Sequence, residues 1–535
     1  MRSGKTQIEE LDVLVVGAGV AGLYLIYRIR NAGFNVKAVD EASGVGGTWY
    51  WNRYPGARCD VDSVFYSYEF DEALQQEWNW TERYAGQPEI LNYLNHVADR
   101  HDLRRDIIFG TRVLSAHYDE ATSIWDLQTD TDTQFRAKYC VMATGCLSAA
   151  NVPDIPGLNE FEGHVYHTAR WPHEGVDFAG VQVGIIGTGS TAIQSIPEIA
   201  KNAEQVIVFQ RTPNYSIPAQ NKPLKAEEIR EVKENYPELR AQAKTTPGGF
   251  NFVPNDISAL GVSAEERDRE FEKRWQAGGI PFMGAYNDLT LNEESNRTAQ
   301  EFVRGKIREI VDDPSVAELL CPDNVIGCKR LCLDTDYYQT FNRDNVRLVD
   351  VRTTPIETIT CDGVQVAGDV HKIDALVLAT GFDAMTGALT RIDIRGRGGN
   401  LLADKWRGGP RTYLGLATAG FPNLFIVTGP GSPSVLSNML PTIEQHVEWI
   451  SDCIERLREQ GANEIEADSG AEDNWVDHVN DVAAKTLRVK CDSWYLGANI
   501  PGKPRVFMPY IGGMPAYRQK CNEVASSGYD GFRIR

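Results

Sequence analysis

Two glycine-rich turns hold the residues whose types and spacing are best suited to chemistry. In residues 12–22, DVLVVGAGVAG, a short β-branched run leads straight into Gly17, Gly19 and Gly22 at G-x-G-x-x-G spacing. A helix-forming stretch, LYLIYRIRNAG, and a second apolar strand, NVKAVD, follow and end at Asp40. That is the order a dinucleotide needs. Gly17 permits a tight turn, Gly19 lets backbone approach a pyrophosphate at a helix N-terminus, and Gly22 allows close packing of helix on strand. Asp40 stands where a carboxylate accepts from a ribose hydroxyl. Residues 181–192, VQVGIIGTGSTA, repeat the arrangement with Gly187, Gly189 and Ala192, and the strand after it ends at Gln210, with Arg211 next. A carboxylate there would repel a ribose 2′-phosphate, whereas Arg211 binds one through charge-assisted hydrogen bonds. The first turn therefore suits FAD or NAD, and the second suits NADPH.

The elements around the turns show a further echo. Residues 139–145, YCVMATG, and 375–381, ALVLATG, read as buried strands ending in Ala-Thr-Gly, each placed to close one of two units. Between Pro223 and Cys321 charged, helix-favouring stretches dominate, including SAEERDREFEKRW with a capping box at Ser263 and Glu266, and this reads as a helical insertion. After residue 386, TYLGLATAGFPNLFIVTGPGSP points to a return to the first unit, and IEQHVEWISDCIERLREQ and DNWVDHVNDVAAKTL read as amphipathic helices. The fold class is α/β: two Rossmann-like dinucleotide-binding domains with a helical insertion. The FAD domain takes 1–146 and 387–535, the NADPH domain 147–222 and 329–386, and the insertion 223–328.

Bulk properties fit that division. A chain of 535 residues exceeds one ordinary core. A net charge of −20 argues against nucleic acid and anionic membranes as partners. The N-terminus lacks the apolar run of a signal peptide, and no uncharged stretch is long enough to span a bilayer. The ten cysteines form no C-x-x-C and no zinc-ligand spacing, so free thiols in a reducing cytoplasm and no metal site are expected.

Residues 161–172, FEGHVYHTARWP, match neither turn. Phe161, Gly163, His167 and Trp171 resemble the F-x-G-x-x-x-H-x-x-x-W fingerprint of the Baeyer–Villiger monooxygenases. GGTWYWNRYPGARCD (46–60), KRLCLDTDYY (329–338), GPGSPSVLSNM (429–439) and SWYLGANIPGKPRVF (493–507) extend the resemblance over essentially the whole chain, nearest to the phenylacetone and steroid branch, with the cyclohexanone enzymes close by. It implies NADPH- and O2-dependent oxidation of a hydrophobic ketone to an ester or lactone through a C4a-peroxyflavin. In it, Arg330 stabilises the nucleophile and the adduct, and Asp60 pairs with Arg330. Lys329, pointing opposite to Arg330 in an extended segment, would join Arg211 and Thr212 at the 2′-phosphate. Thr48, Trp49, Tyr50, Trp51, Tyr66, Val113 and Met439 would lie near the flavin ring. Ser190, Thr191 and Gln194 would meet NADPH, Trp494 would close over it, and Ser434, Val435, Leu436 and Met439 would shape the ketone pocket. The fingerprint would couple the two units, with His167 a hydrogen-bonded linker rather than a base. A monomer or weak oligomer is expected. Two rivals remain: an N- or S-oxygenating flavin monooxygenase, and a non-catalytic module that binds both cofactors without needing Arg330 or Asp60.

Overall fold

The computed structural model describes residues 7–252 and 254–535. Its first strand, Gln7–Val16, ends in the run Val13–Val16, which is buried throughout. Burial on both faces is the state of a central parallel strand. The strand lies between Val36–Val39 and Thr133–Met142, parallel to both. Ile107–Ile108 extends the sheet on one side, and an antiparallel meander through Ile124–Thr129 and Val113–Asp119 extends it on the other. Two later strands join this sheet, Asp393–Arg395 on Val113–Asp119 and Leu424–Ile426 on Thr133–Met142. Helix Val20–Asn31 covers one face with Leu23, Tyr24, Leu25 and Ile26, and helix Met439–Glu459 packs against it. That long helix reads as amphipathic, yet it buries Glu444, Gln445 and His446 together with its apolar residues, because helix Val20–Asn31 and helix Met514–Ser526 flank it and backbone N–H groups of Glu69, Phe70 and Thr428 donate to Glu444 and His446.

A second, all-parallel sheet runs in the order Val346–Asp350, Gln205–Gln210, Gln182–Ile186, Ala375–Leu378, His164–His167. Each Ala-Thr-Gly strand pairs directly with the strand that leads into a glycine turn. Thr133–Met142 lies beside Gln7–Val16, and Ala375–Leu378 lies beside Gln182–Ile186. The reason is local. A Cβ on Gly17 would stand 2.4 Å from the Ala143 carbonyl oxygen, and one on Gly187 would stand 2.4 Å from that of Ala379. Each Ala-Thr-Gly backbone passes directly under a glycine turn and must neighbour the strand that leads into it.

Residues 223–328 are mainly helical, with Ala226–Glu234, Tyr236–Ala243, Ala264–Ala277, Glu293–Ile310 and Pro314–Leu320. The Ser263 hydroxyl accepts from Glu266 N–H while the Glu266 carboxylate accepts from Ser263 N–H, so the capping box forms. One expectation fails: Cys328 and Cys491 form a disulfide. Their separation of 163 residues hides the pairing from any spacing rule, and the fold brings their Cα atoms to 6.1 Å. The other eight cysteines are free. Among the described residues no helix is long and apolar enough to cross a membrane.

Candidate active site

The geometry is best followed from Arg330, two residues before the strand Cys332–Asp334. Its Nε donates to Asp60 Oδ2 at 2.6 Å and its Nη2 to Asp60 Oδ1 at 2.7 Å, a two-pronged pair. Its Nη1 donates to the Val435 carbonyl at 2.6 Å. Three of the five guanidinium N–H groups are thus committed, which leaves one on each terminal nitrogen. Burial opposes the charge, but Asp60 more than offsets it, so the Arg330 pKa rises above its ordinary value. The side chain keeps 26% of its exposure, so it is not sealed in the core. Around it Cys146, Met385, Val435, Tyr495, Phe507 and Met508 form an apolar cluster against which Leu436, Met439 and Trp494 pack.

On the first turn, Gly17 has φ +112°, and a Cβ on Gly22 would fall 1.9 Å from the Gly17 carbonyl oxygen. Helix Val20–Asn31 starts at Gly19 with no side-chain cap, so its first N–H groups remain for a ligand. Asp40 Oδ2 accepts from Ala18 N–H at 2.6 Å and Oδ1 from Ala42 N–H at 2.8 Å. The carboxylate therefore braces the turn, with lone pairs left for ribose hydroxyls, and burial raises its pKa. Thr48–Trp51 forms one short helical turn. Trp49 Nε1 donates to Tyr66 OH at 3.1 Å, the Tyr50 ring lies 4.6 Å from that of His173, and Arg170 sits 4.0 Å over Trp51. Val113 stands apart from these aromatics, packed with Val16 and Val39 toward the Asp40 end.

On the second turn, Gly187 has φ +124°, helix Ser190–Ala200 also starts without a side-chain cap, and a Cβ on Gly189 would meet nothing within 4 Å. Ser190 Oγ lies 3.1 Å from Cys332 Sγ. Gln194 reaches back to the first unit: it accepts from Tyr54 OH at 2.9 Å and donates to the Arg58 carbonyl at 3.2 Å. Thr188 Oγ1 donates to the Thr212 carbonyl at 2.6 Å. Arg211 is exposed. Lys329 is half-buried, and its pKa is lowered by burial first and then by the charge of Arg211. Neither cation has a carboxylate within ion-pair distance among the described residues, so the two repel across a space that an anion would fill.

His167 works as a joint. Its Nδ1 accepts from Ala169 N–H at 3.0 Å, which places the ring proton on Nε2, 3.2 Å from the Asn151 carbonyl and 3.3 Å from Thr380 Oγ1. Burial lowers its pKa, which keeps it neutral. Phe161 packs into one cluster with Leu376, and Trp171 into another with Ile185. A Cβ on Gly163 would strike the Asp374 carbonyl oxygen at 2.3 Å.

Several contacts leave no mark in the sequence. The Val435 carbonyl is backbone, and the Tyr54–Gln194 bond spans 140 residues. Arg488, near Arg330 and Tyr495, belongs to no motif.

Two bare glycine turns, uncapped helix starts, an acid on one turn and an unpaired cation pair on the other fit FAD and NADPH respectively. The chain matches the model of the flavin-binding monooxygenase-like family over residues 10–221. It is 44% identical to a Baeyer–Villiger monooxygenase of Pseudooceanicola batsensis over 98% of this chain and 96% of that protein. It is 42% identical to a phenazine N-monooxygenase of Lysobacter antibioticus over 97% of this chain and 96% of that one. Its structure matches that of an oxidized steroid monooxygenase bound to NADP with a TM-score of 0.94 and 54% identity, covering 98% of this chain and 99% of the other.

Proposed function

The chain belongs to the Baeyer–Villiger monooxygenase family, and from that premise we propose that it oxidises apolar ketones to esters or lactones with FAD, NADPH and O2. FAD, once reduced by NADPH, supplies one oxygen atom of O2 to the substrate while the other leaves as water. The flavin would be held by Gly17, Gly19, Gly22, Asp40, the Thr48–Trp51 turn, Tyr66, Val113 and Met439. NADPH would be held by Gly187, Gly189, Ser190, Thr191, Gln194, Arg211, Thr212 and Lys329, with Trp494 over it. Residues 1–146 and 387–535 would form the FAD domain, and 147–222 with 329–386 the NADPH domain.

The observation that carries this reading is the two-pronged Arg330–Asp60 pair beside an apolar cluster. Attack on a ketone by an oxygen nucleophile builds negative charge on oxygen, and a preorganised cation in a poorly hydrated cleft stabilises that charge. Arginine suits the task because it stays charged when partly buried. Asp60 fixes the guanidinium plane, and the Val435 carbonyl ties it to the 434–436 turn, so the two remaining N–H groups present one direction. Ser434, Val435, Leu436 and Met439 would set the ketone's shape. Tyr54 and Gln194 keep the NADPH turn registered against the loop that carries Asp60.

The test is product mass spectrometry after turnover with NADPH and 18O2 on phenylacetone, cyclohexanone and a bulky cyclic ketone. One labelled oxygen in an ester or lactone is expected. The phenazine N-monooxygenase relative makes N-oxidation the second reading. Labelled N-oxides from an amine and heteroarene panel, with every ketone returned unchanged, would replace the first reading with the second.

A further inference from the structure

Cys328 immediately precedes Lys329 and Arg330, and Cys491 lies three residues before Trp494. Their disulfide joins two stretches that are remote in sequence. The stretch from Leu487 to Phe507 has little regular structure, only the short turns Leu487–Lys490 and Trp494–Leu496. Scattered contacts hold it. Leu487 N–H donates to the Thr290 carbonyl at 2.8 Å, Asn499 Nδ2 to the Phe382 carbonyl at 2.7 Å, and Lys503 Nζ to Asp383 at 2.6 Å, while Lys490 pairs with Glu293. Its other backbone hydrogen bonds run mostly within the stretch, and the buried Tyr495 and Phe507 seat it in the apolar cluster beside Arg330, so opening it breaks side-chain packing but no sheet or long helix.

Electrostatics adds a bias toward opening. Arg488 has no carboxylate within ion-pair distance among the described residues and feels Arg330 as a like charge. That like charge pushes this end of the stretch away from the Arg330 segment, while Tyr495 counters it. The disulfide opposes that push.

We propose that Cys328 and Cys491 are a positioning pair: their disulfide holds the Trp494 stretch against the Lys329–Arg330 segment, and its reduction releases the stretch. The proposal rests on the NADPH assignment above only for its ligand readout. Cys491 lines a surface cleft of about 620 Å³ with Lys490, Asp492 and Arg505, which gives a small thiol a route toward the disulfide. A dithiol such as dithiothreitol attacks there. The Cys328–Cys491 bond breaks, both cysteines leave as thiols, and the reductant's two sulfurs become its own cyclic disulfide. Oxidised glutathione reverses the exchange and departs as two molecules of glutathione.

The experiment uses the full-length FAD-loaded protein carrying Cys361→Ser, which removes the free thiol that is exposed. A non-reducing peptide map is taken first, before and after dithiothreitol treatment and desalting. Deuterium uptake over 487–507, the NADP+ dissociation constant and the rate of flavin reduction at saturating NADPH are then compared between the two forms. Reduction should raise uptake over 487–507. If the released stretch is seated about one fifth of the time, NADP+ binding weakens about fivefold. The saturated flavin-reduction rate should hold, and oxidised glutathione should restore the starting values. Cys491→Ser should match the reduced form under both conditions, and where it fails to fold, redox cycling of the parent decides. An uncrosslinked peptide map, or a crosslinked protein whose uptake and NADP+ affinity ignore reduction, overturns the proposal. No readout involves a ketone, so failure of the ester-forming reading would be seen separately.

Discussion

The two glycine turns share a backbone and differ in what closes them. Gly17 and Gly187 both hold positive φ over an Ala-Thr-Gly carbonyl at the same 2.4 Å Cβ clearance. At the third place the turns part. Gly22 has no room for a methyl, whereas Ala192 carries one and is fully buried. Over the second glycine they part again, since a Cβ on Gly19 would meet Gly47 at 3.3 Å and one on Gly189 would meet nothing. At the strand end, Asp40 turns inward and braces the loop. Gln210, itself buried, instead donates to the Leu319 carbonyl at 2.7 Å, and Arg211 next to it is exposed. The lesson is that the turn backbone is generic. Selectivity would then lie in the residue that ends the second strand and in what packs above the second glycine.

Arg330 and Asp60 bring one member from each region, so the harshest way to break the comparison is to part them. Arg330→Ala should cut ester formation about 10³-fold, the upper range for loss of one preorganised charge donor. Flavin bleaching by NADPH should continue; stopped-flow absorbance and product yield measure the two, and normal ester yield would show that the pair has no part in oxygen transfer. Next comes Gly22→Ala. Its methyl meets backbone at 1.9 Å, and overpacking of that severity costs about 3 kcal/mol of stability and should displace the turn enough to lose FAD on gel filtration. The mirror change, Ala192→Gly, should cost only about 1 kcal/mol of stability through helix propensity and leave NADPH affinity alone. Equal FAD loss from both would erase the distinction at the third place. Arg211→Ala should then raise KM for NADPH about tenfold and leave that for NADH unchanged, since an exposed charged hydrogen bond contributes about 1.5 kcal/mol. An unchanged preference in steady-state kinetics would move phosphate recognition elsewhere.

The same contrast explains how much was legible in the residues. Asp40 against Gln210 and Arg211 is a difference of side-chain type at a fixed spacing, and spacing survives folding within one strand–turn–helix unit. The motif in 161–172 was legible as a resemblance, but its physical meaning needed coordinates, because His167 joins Asn151 and Thr380 across 16 and 213 residues. The Ala-Thr-Gly echoes were visible while their place beside the first strand of each unit was not, since strand order depends on which carbonyl passes under which glycine. The Cys328–Cys491 bond was invisible for a plainer reason: no local rule relates residues 163 apart. Free thiols, the expectation from composition, hold for the other eight cysteines and fail for the two at the cleft.

The smallest effect tests the cationic side of the second turn by pH. Burial first, and then the charge of Arg211, lower the Lys329 pKa, with Asp323 and Asp492 partly countering them. Because the folded protein holds this proton less tightly than the unfolded chain, Lys329 destabilises the nucleotide-free protein at neutral pH. Stability should rise as pH climbs through the lowered pKa, relative to Lys329→Met. A 2′-phosphate prefers the protonated lysine, so NADPH affinity should move the opposite way, full below the lowered pKa and reduced a few-fold above it. NADH affinity should stay flat over the same range. Lys329→Arg should abolish the fall, since a guanidinium does not titrate there, and Arg211→Ala should shift it to higher pH by removing the repelling charge. Calorimetric NADPH titrations across the alkaline range measure the first effect and thermal melts the second. A parallel response of stability and affinity, in place of opposite signs, would mean that Lys329 does not face the phosphate.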